Sequence, residues 1–174
     1  ANNALKQMDA DAPGDVKSGT YRFFSAEEII RRMVTKKEEY GYNHVQFIDE
    51  NMAALPVRKL EELAELYKEN IDVGFFTQSR PEPFIGKSNK ARIMADMGCK
   101  MIGMGMESGN AELRRTVLNR PMRDGVIEEA VGKLKDAGVK TAAYYVIGFP
   151  GETEEMIQET ISLHRRVQPD RFSV

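Results

Sequence analysis

Gly138-Val139-Lys140-Thr141-Ala142-Ala143-Tyr144-Tyr145-Val146-Ile147-Gly148-Phe149-Pro150-Gly151-Glu152-Thr153 holds one full unit of this chain's architecture. A glycine ends a helix, an apolar strand follows over 141–147, and a Gly-Pro-Gly turn leads into the next helix. Gly148 and Gly151 let the backbone take positive φ and come close to a bound molecule, while Pro150 stiffens the turn. Thr153 is placed to cap the next helix, and Glu152 brings a carboxylate to the end of the strand. A strand that ends this way is suited to holding a ligand.

Working outward, the unit recurs upstream. Ser25 and Glu28 form a capping box ahead of Ile29, Ile30, Met33 and Val34, and that helix stops at Gly41 before a strand over 44–48. Asp49-Glu50-Asn51 breaks the strand, after which Pro56 opens a helix with the apolar face Leu60, Leu63, Ala64 and Tyr67, then a strand over 71–78. A short helix with Ile93, Met94, Ala95 and Met97 stops at Gly98 and leads to a strand over 100–106. Asn110 reads as the cap of a short helix to 118, and Asp124 as the cap of a longer one carrying Ile127, Val131 and Leu134. Beyond Thr153, a helix over 154–167 uses Met156, Ile157 and Ile161, Pro169 closes it, and another strand begins over 171–174.

Strands alternating with helices imply parallel pairing through right-handed crossovers. The third and fourth strands are apolar at nearly every position, the pattern expected when both faces are covered. A doubly wound sheet and a β/α barrel both satisfy this string. Asp49, Glu50, Gln78, Arg80, Glu107, Ser108 and Glu152 all fall at C-terminal strand ends, where barrels build their sites, although open parallel sheets bind ligands at that end too. The reading carried forward is α/β, a partial (β/α) barrel over residues 21–174. A polar lead-in over 1–20, with Pro13, Gly14 and Gly19, precedes it.

At 174 residues, 41% hydrophobic and with a net charge of −2, the chain suits one globular domain and not a nucleic-acid binder driven by bulk charge. No apolar run approaches the roughly 20 residues that span a bilayer, and no charged segment followed by a hydrophobic stretch marks a signal peptide, so a cytoplasmic location is expected. The single cysteine, Cys99, forms no internal disulfide and assembles neither a zinc site nor a cluster alone; ahead of an apolar strand it reads as a small buried hydrophobe. His44 and His164 stand far apart with no ligand pattern around them. Met101, Met104 and Met106 read as core filler, and Lys36-Lys37-Glu38-Glu39 as a solvated helix face.

Four stretches, in the right order between the right elements, carry a resemblance. They are Tyr21-Arg22-Phe23-Phe24-Ser25-Ala26-Glu27-Glu28-Ile29-Ile30, Phe47-Ile48-Asp49-Glu50-Asn51, Gly103-Met104-Gly105-Met106-Glu107-Ser108-Gly109, and Val146 through Thr153. Together they resemble the radical S-adenosylmethionine family, most closely its branch of cobalamin-dependent members and methylthiotransferases. In the order quoted, they are similar to that family's first barrel helix and to the ends of its second, fourth and fifth strands.

The resemblance implies a cofactor, S-adenosyl-L-methionine, and assigns places around it. Glu107 and Ser108 match the strand end that contacts the ribose, where a carboxylate can accept two hydroxyl hydrogen bonds. Val146, with Ile147 and Gly148, matches the strand whose backbone reads the adenine. Asp49 and Glu50 match the strand end that reaches the amino group. Arg80 and Arg120 are candidates for the cofactor carboxylate, since a guanidinium fork fits it in bidentate fashion, and Gln78 faces the same mouth.

The family also implies a [4Fe-4S] cluster on three cysteines in C-x-x-x-C-x-x-C spacing, an electron donor, and, in this branch, cobalamin in some members. Reductive cleavage of the cofactor to a 5'-deoxyadenosyl radical would follow in the complete enzyme. With Cys99 alone, the expectation for this chain is a fragment that helps hold the cofactor without carrying the cluster or cleaving the cofactor. Two other readings fit the residues: a cluster-free α/β domain binding a nucleotide or a phosphorylated small molecule, and a non-catalytic interaction domain.

Overall fold

The structure, a computed structural model, describes residues 24–49 and 51–174. The expected lead-in over 1–20, the start of the first family stretch over 21–23, and Glu50 lie outside the described residues. Helix α1 is Ala26–Tyr40, β1 is His44–Gln46, α2 is Val57–Asn70 and β2 is Gly74–Gln78. Next come α3 (Lys90–Met97), β3 (Cys99–Glu107), α4 (Ala111–Thr116) and α5 (Asp124–Asp136). Then β4 is Lys140–Tyr145, α6 is Glu154–Val167 and β5 is Arg171–Ser173.

Among the described residues all five strands are parallel, and their order in the sheet is the order in sequence, β1-β2-β3-β4-β5. That order separates the two folds left open above. A doubly wound sheet reverses direction at a switch point, so its first strand lies inside the sheet; a barrel winds one way. Here α1 packs on α2, α2 on α3 and α5 on α6, as helices do when they line one side of a singly wound sheet. The fold is therefore an arc of a β/α barrel.

The strands alternate. Phe75, Ile102, Met104, Met106, Ala143 and Tyr145 turn toward the helices and are buried with Leu60, Tyr67, Met94, Ile127, Leu134 and Leu163. Phe75 meets Phe47 edge-on at 5.2 Å and Tyr67 at 5.4 Å, and the Tyr67 hydroxyl donates to Val73 O at 2.9 Å. On the other face stand Phe76, Gln78, Gly103, Gly105, Glu107 and Tyr144. On that face Gly103 and Ala142 are buried and Met101, Gly105, Glu107 and Tyr144 partly so, and it carries the polar strand ends.

The helix stops Gly41, Gly98 and Gly138 stand as expected, at φ 60, 104 and 78°. Ser25 Oγ accepts from Glu28 N at 3.3 Å, but the Glu28 carboxylate binds Arg31 and Arg32 and does not complete the capping box. Strands are shorter than expected at β1, where Ile48 is 95% exposed, and at β2, where Ile71 is instead the buried C-cap of α2. Helix α5 starts at Asp124 itself, which makes Arg123 the N-cap and corrects the capping expectation. On α6 the buried residues are Thr160, Leu163 and Val167, while Ile161 is exposed. Lys37, read as part of a solvated face, reaches across to Ile71 O.

Burial sets a pH dependence. The Cys99 thiol is pushed up to about 12 from an ordinary 9.0, and the Tyr145 phenol up to about 12 from 10.0, both chiefly by desolvation. The fold holds both groups protonated, so this contribution is complete below the ordinary values and is lost as pH rises from 9.0 toward about 12. The urea midpoint should therefore hold up to about pH 9 and fall above it, and Cys99→Ala should flatten the first part of the fall. A midpoint unchanged through this alkaline range would contradict that burial.

A smaller effect is expected at a cap. Asn110 Oδ1 accepts from Leu113 N at 2.7 Å, and its Nδ2 donates to Glu159 at 2.8 Å. Asn110→Ala should cost about 1 kcal/mol in urea denaturation.

Candidate cofactor site

The C-terminal ends of β2, β3 and β4 surround a cleft of about 260 Å3 lined by Gln78, Ser79, Arg80, Gly103, Gly105, Glu107, Arg120 and Tyr144. At its centre, Arg120 Nη1 donates to Glu107 Oε1 at 2.8 Å, with both side chains about three-quarters buried. The pair lies directly over Gly105: a Cβ placed there would run into the Glu107 carboxylate. Glu107 holds φ at 61°, left-handed backbone that a residue with a side chain adopts only at a cost. The distortion comes with a break in the β3–β4 register between Gly105 and Glu107, and it turns the carboxylate back over the glycine.

One residue layer deeper, a Cβ on Gly103 would meet Tyr144 and Phe76 at 2.8–2.9 Å. Only a glycine lets both rings lie against the strand. Of the two, Tyr144 lines the cleft.

The strand-end loops are fixed by side chains that sequence reasoning did not assign to the site. Asn51 Oδ1 accepts from Ser79 Oγ at 2.7 Å and from Arg80 N at 3.2 Å, tying the end of β1 to the end of β2. Asp49 Oδ1 accepts from Asn51 N at 2.9 Å and faces a different, larger cavity of about 610 Å3, between α1 and α2, with Phe24, Phe47, Leu55 and Leu63. The ten expected residues therefore do not converge. Gln78, Arg80, Glu107 and Arg120 share one cleft, Asp49 lies beside it, and Glu50 is outside the described residues.

Ser108 turns inward. It is fully buried, its hydroxyl lies 3.3 Å from Thr160 Oγ1 and accepts from Asn110 N at 3.1 Å. Thr160 Oγ1 also accepts from Gly109 N at 2.8 Å, which docks α6 on the loop after β3.

The glycine turn after β4 takes the backbone expected of it, with φ 89° at Gly148 and 79° at Gly151. Its carboxylate and hydroxyl turn inward, however. Glu152 Oε2 accepts from Gly148 N at 2.5 Å and from Phe149 N at 3.2 Å, a small nest of amides closed by the chain's own anion, and Thr153 Oγ1 caps Met156 N at 3.4 Å. Val146 N donates to Glu107 O at 2.8 Å, so the strand ladder already uses the N–H of the residue whose backbone is expected to read adenine. Beyond it, Ile147 is half exposed, and its backbone has no hydrogen bond to another described backbone group.

Residues 9–164 match the radical SAM superfamily. The chain belongs to that superfamily. It is 25% identical over 150 residues to an uncharacterized methyltransferase of Pyrococcus horikoshii, covering 86% of this chain and 32% of that protein. It is 27% identical over 161 residues to a tRNA-2-methylthio-N(6)-dimethylallyladenosine synthase of Anoxybacillus flavithermus, covering 87% and 30%.

Among solved structures, coproporphyrinogen III oxidase from Escherichia coli superposes with a TM-score of 0.68 at 19% identity, over 86% of this chain and 36% of that one. A radical S-adenosylmethionine methyltransferase from Kitasatospora setae, with cobalamin and a [4Fe-4S] cluster bound, superposes with 0.69 at 16%, over 84% and 30%. Both share the fold. The chain spans about a third of the length of these proteins.

Radical SAM proteins use S-adenosylmethionine and a [4Fe-4S] cluster. The residues described here do not fit the cluster. Cys99 is the chain's single cysteine, buried at the start of β3, the end of that strand opposite Glu107, with its thiol held protonated. Among the described residues no group of three or more His, Cys, Asp or Glu could hold a metal ion, and no helix is long and apolar enough to cross a membrane.

Proposed function

We propose that the cleft over Gly105 holds S-adenosylmethionine and that the chain is the cofactor-holding part of a radical SAM enzyme acting on a substrate still to be identified. The observation that carries this reading is the Glu107–Arg120 pair, clasped over a glycine at a strained strand end. One carboxylate and one guanidinium side by side match a ligand with vicinal hydroxyls at one end and a carboxylate at the other. Glu107 would accept from the ribose hydroxyls while Arg120 exchanges Glu107 for the ligand carboxylate. Ile147, rather than Val146, would offer the backbone edge for adenine. Arg80 and Gln78 would border the substrate side, and Asp49, beyond Asn51, would meet the amino group only from the neighbouring cavity.

In this family the cofactor supplies the reactivity; the residues here bind, orient and exclude water. Cleavage is assigned to the complete enzyme, with a cluster held by residues outside this chain, an electron donor, and cobalamin if the branch resemblance extends that far. A reducing, cytoplasmic setting belongs to the same reading. One fold relative is described bound to a precursor peptide, so a macromolecular substrate belongs among those to be screened.

Calorimetric titration of the protein with S-adenosylmethionine, and separately with ATP, tests the assignment. Heat with S-adenosylmethionine and none with ATP is the expected result. Binding of ATP alone would favour the nucleotide-domain reading, and binding of neither would remove the site. Anaerobic reconstitution of the chain with iron and sulfide should leave it without cluster iron; a stoichiometric iron count would overturn that part.

A further inference from the structure

We infer that Arg114 is a positioning residue that holds Arg120 over the cleft, an inference that rests on the site proposed above. Arg114 lies on the short helix α4, is fully buried, and does not line the cleft. Its Nη1 donates to Ser108 O at 2.6 Å, and its Nε and Nη2 both donate to Met122 O, at 3.3 and 3.0 Å. The guanidinium thus bridges two points of the chain that are 14 residues apart in sequence, one just after Glu107 and the other just after Arg120.

The backbone closes the same ring. Arg120 N donates to Arg114 O at 2.8 Å, and Met122 N donates to Arg120 O at 2.7 Å. Arg120 is therefore held from both sides by groups that lead back to Arg114. Its neighbour Asn119 sits at φ 50°, so the segment carrying Arg120 is a left-handed bend and not part of a helix. Such a bend has little to fix its direction except what it is tied to. A planar fork with several donors can tie two carbonyls at once, which an ammonium does less well. Burying a guanidinium is expensive unless its donors are satisfied, and here Nε, Nη1 and Nη2 all reach carbonyls beside two site residues, which points to a positional task.

The test compares two ligands that differ in the part Arg120 would hold. S-adenosylhomocysteine carries the amino-acid carboxylate; 5'-deoxyadenosine lacks it. Arg114→Met should weaken S-adenosylhomocysteine by about tenfold and leave 5'-deoxyadenosine within about twofold, the pattern also expected of Arg120→Met. In the double variant the losses should not add, because the first residue acts through the second. General loosening of the fold would weaken both ligands alike, and additive losses would mean an independent role; either result overturns the inference.

Should Arg114→Met fail to fold, Arg114→Lys carries the test. It keeps the charge and one carbonyl bond, and should show the same ligand selectivity in smaller measure. Equal affinities of wild type and Arg114→Lys for both ligands would overturn the inference. If wild type binds neither ligand, it is the site itself that fails, and the two failures are told apart.

Discussion

Gly109→Ala is expected to be the most damaging single methyl in this chain. A Cβ on Gly109 would collide with backbone atoms of Glu159 and Thr160 on α6, and backbone cannot swing aside as a side-chain tip can. The same contact is held by the bond from Gly109 N to Thr160 Oγ1 and by Ser108 behind it. Relief requires α6 to back away, which would strip Leu163 and Val167 from the core.

Overpacking of this kind costs about 3 kcal/mol or more, which for a domain of this size lowers the melting temperature by roughly 6–12 °C. Thermal unfolding followed by circular dichroism would read it directly, with Gly125→Ala as the control, since no atom stands within 4 Å of a Cβ there. A Gly109→Ala variant that melts with wild type would show that α6 does not press on this loop.

At Glu107, stability and binding should move apart. Glu107→Gly removes the carboxylate from the cleft but also removes a side chain from left-handed backbone, a strain of about 1 kcal/mol or more that glycine does not carry. The loss of an ion pair about three-quarters buried works against that gain. The melting temperature should therefore stay close to wild type, while affinity for S-adenosylmethionine falls about 10- to 100-fold, the worth of hydrogen bonds to a charged acceptor. Glu107→Gln, which keeps the strain and loses the charge, should bind poorly and melt lower. Wild-type affinity in Glu107→Gly would remove the carboxylate from the proposed site, whatever the melting temperature does.

Much of the fold was legible because the marks that punctuate it are local. Gly41, Gly98 and Gly138 stop helices by their own backbone geometry, Pro169 closes α6, and Leu60, Leu63, Ala64 and Tyr67 share one helical stripe, so no distant contact is needed to read them. The strand ends were less legible. At 71–73, Ile71 and Val73 flank Asp72 and the chain is not yet paired, and Ile71 is buried without belonging to the sheet. On α6, Met156, Ile157 and Ile161 offered a plausible stripe, yet Thr160 faces inward because its hydroxyl meets Gly109, a contact 51 residues away in sequence.

The site divides in the same way. Gln78, Arg80 and Glu107 were legible as polar residues placed after apolar strands. The inward turn of Glu152 and Ser108 was not, since either side chain could have pointed at ligand or at its own loop. Arg114 gave no signal beyond a cation one residue after Leu113 and three before Val117. The carbonyls it binds belong to loops whose proximity only the folded chain creates.

The two rings laid against Gly103 act as a depth gauge. A molecule that displaced the Glu107–Arg120 contact over Gly105 would next meet Tyr144, so added length would have to run sideways, past Gln78 and Arg80. Selection among guests then depends less on how long they are than on where along their length they carry bulk.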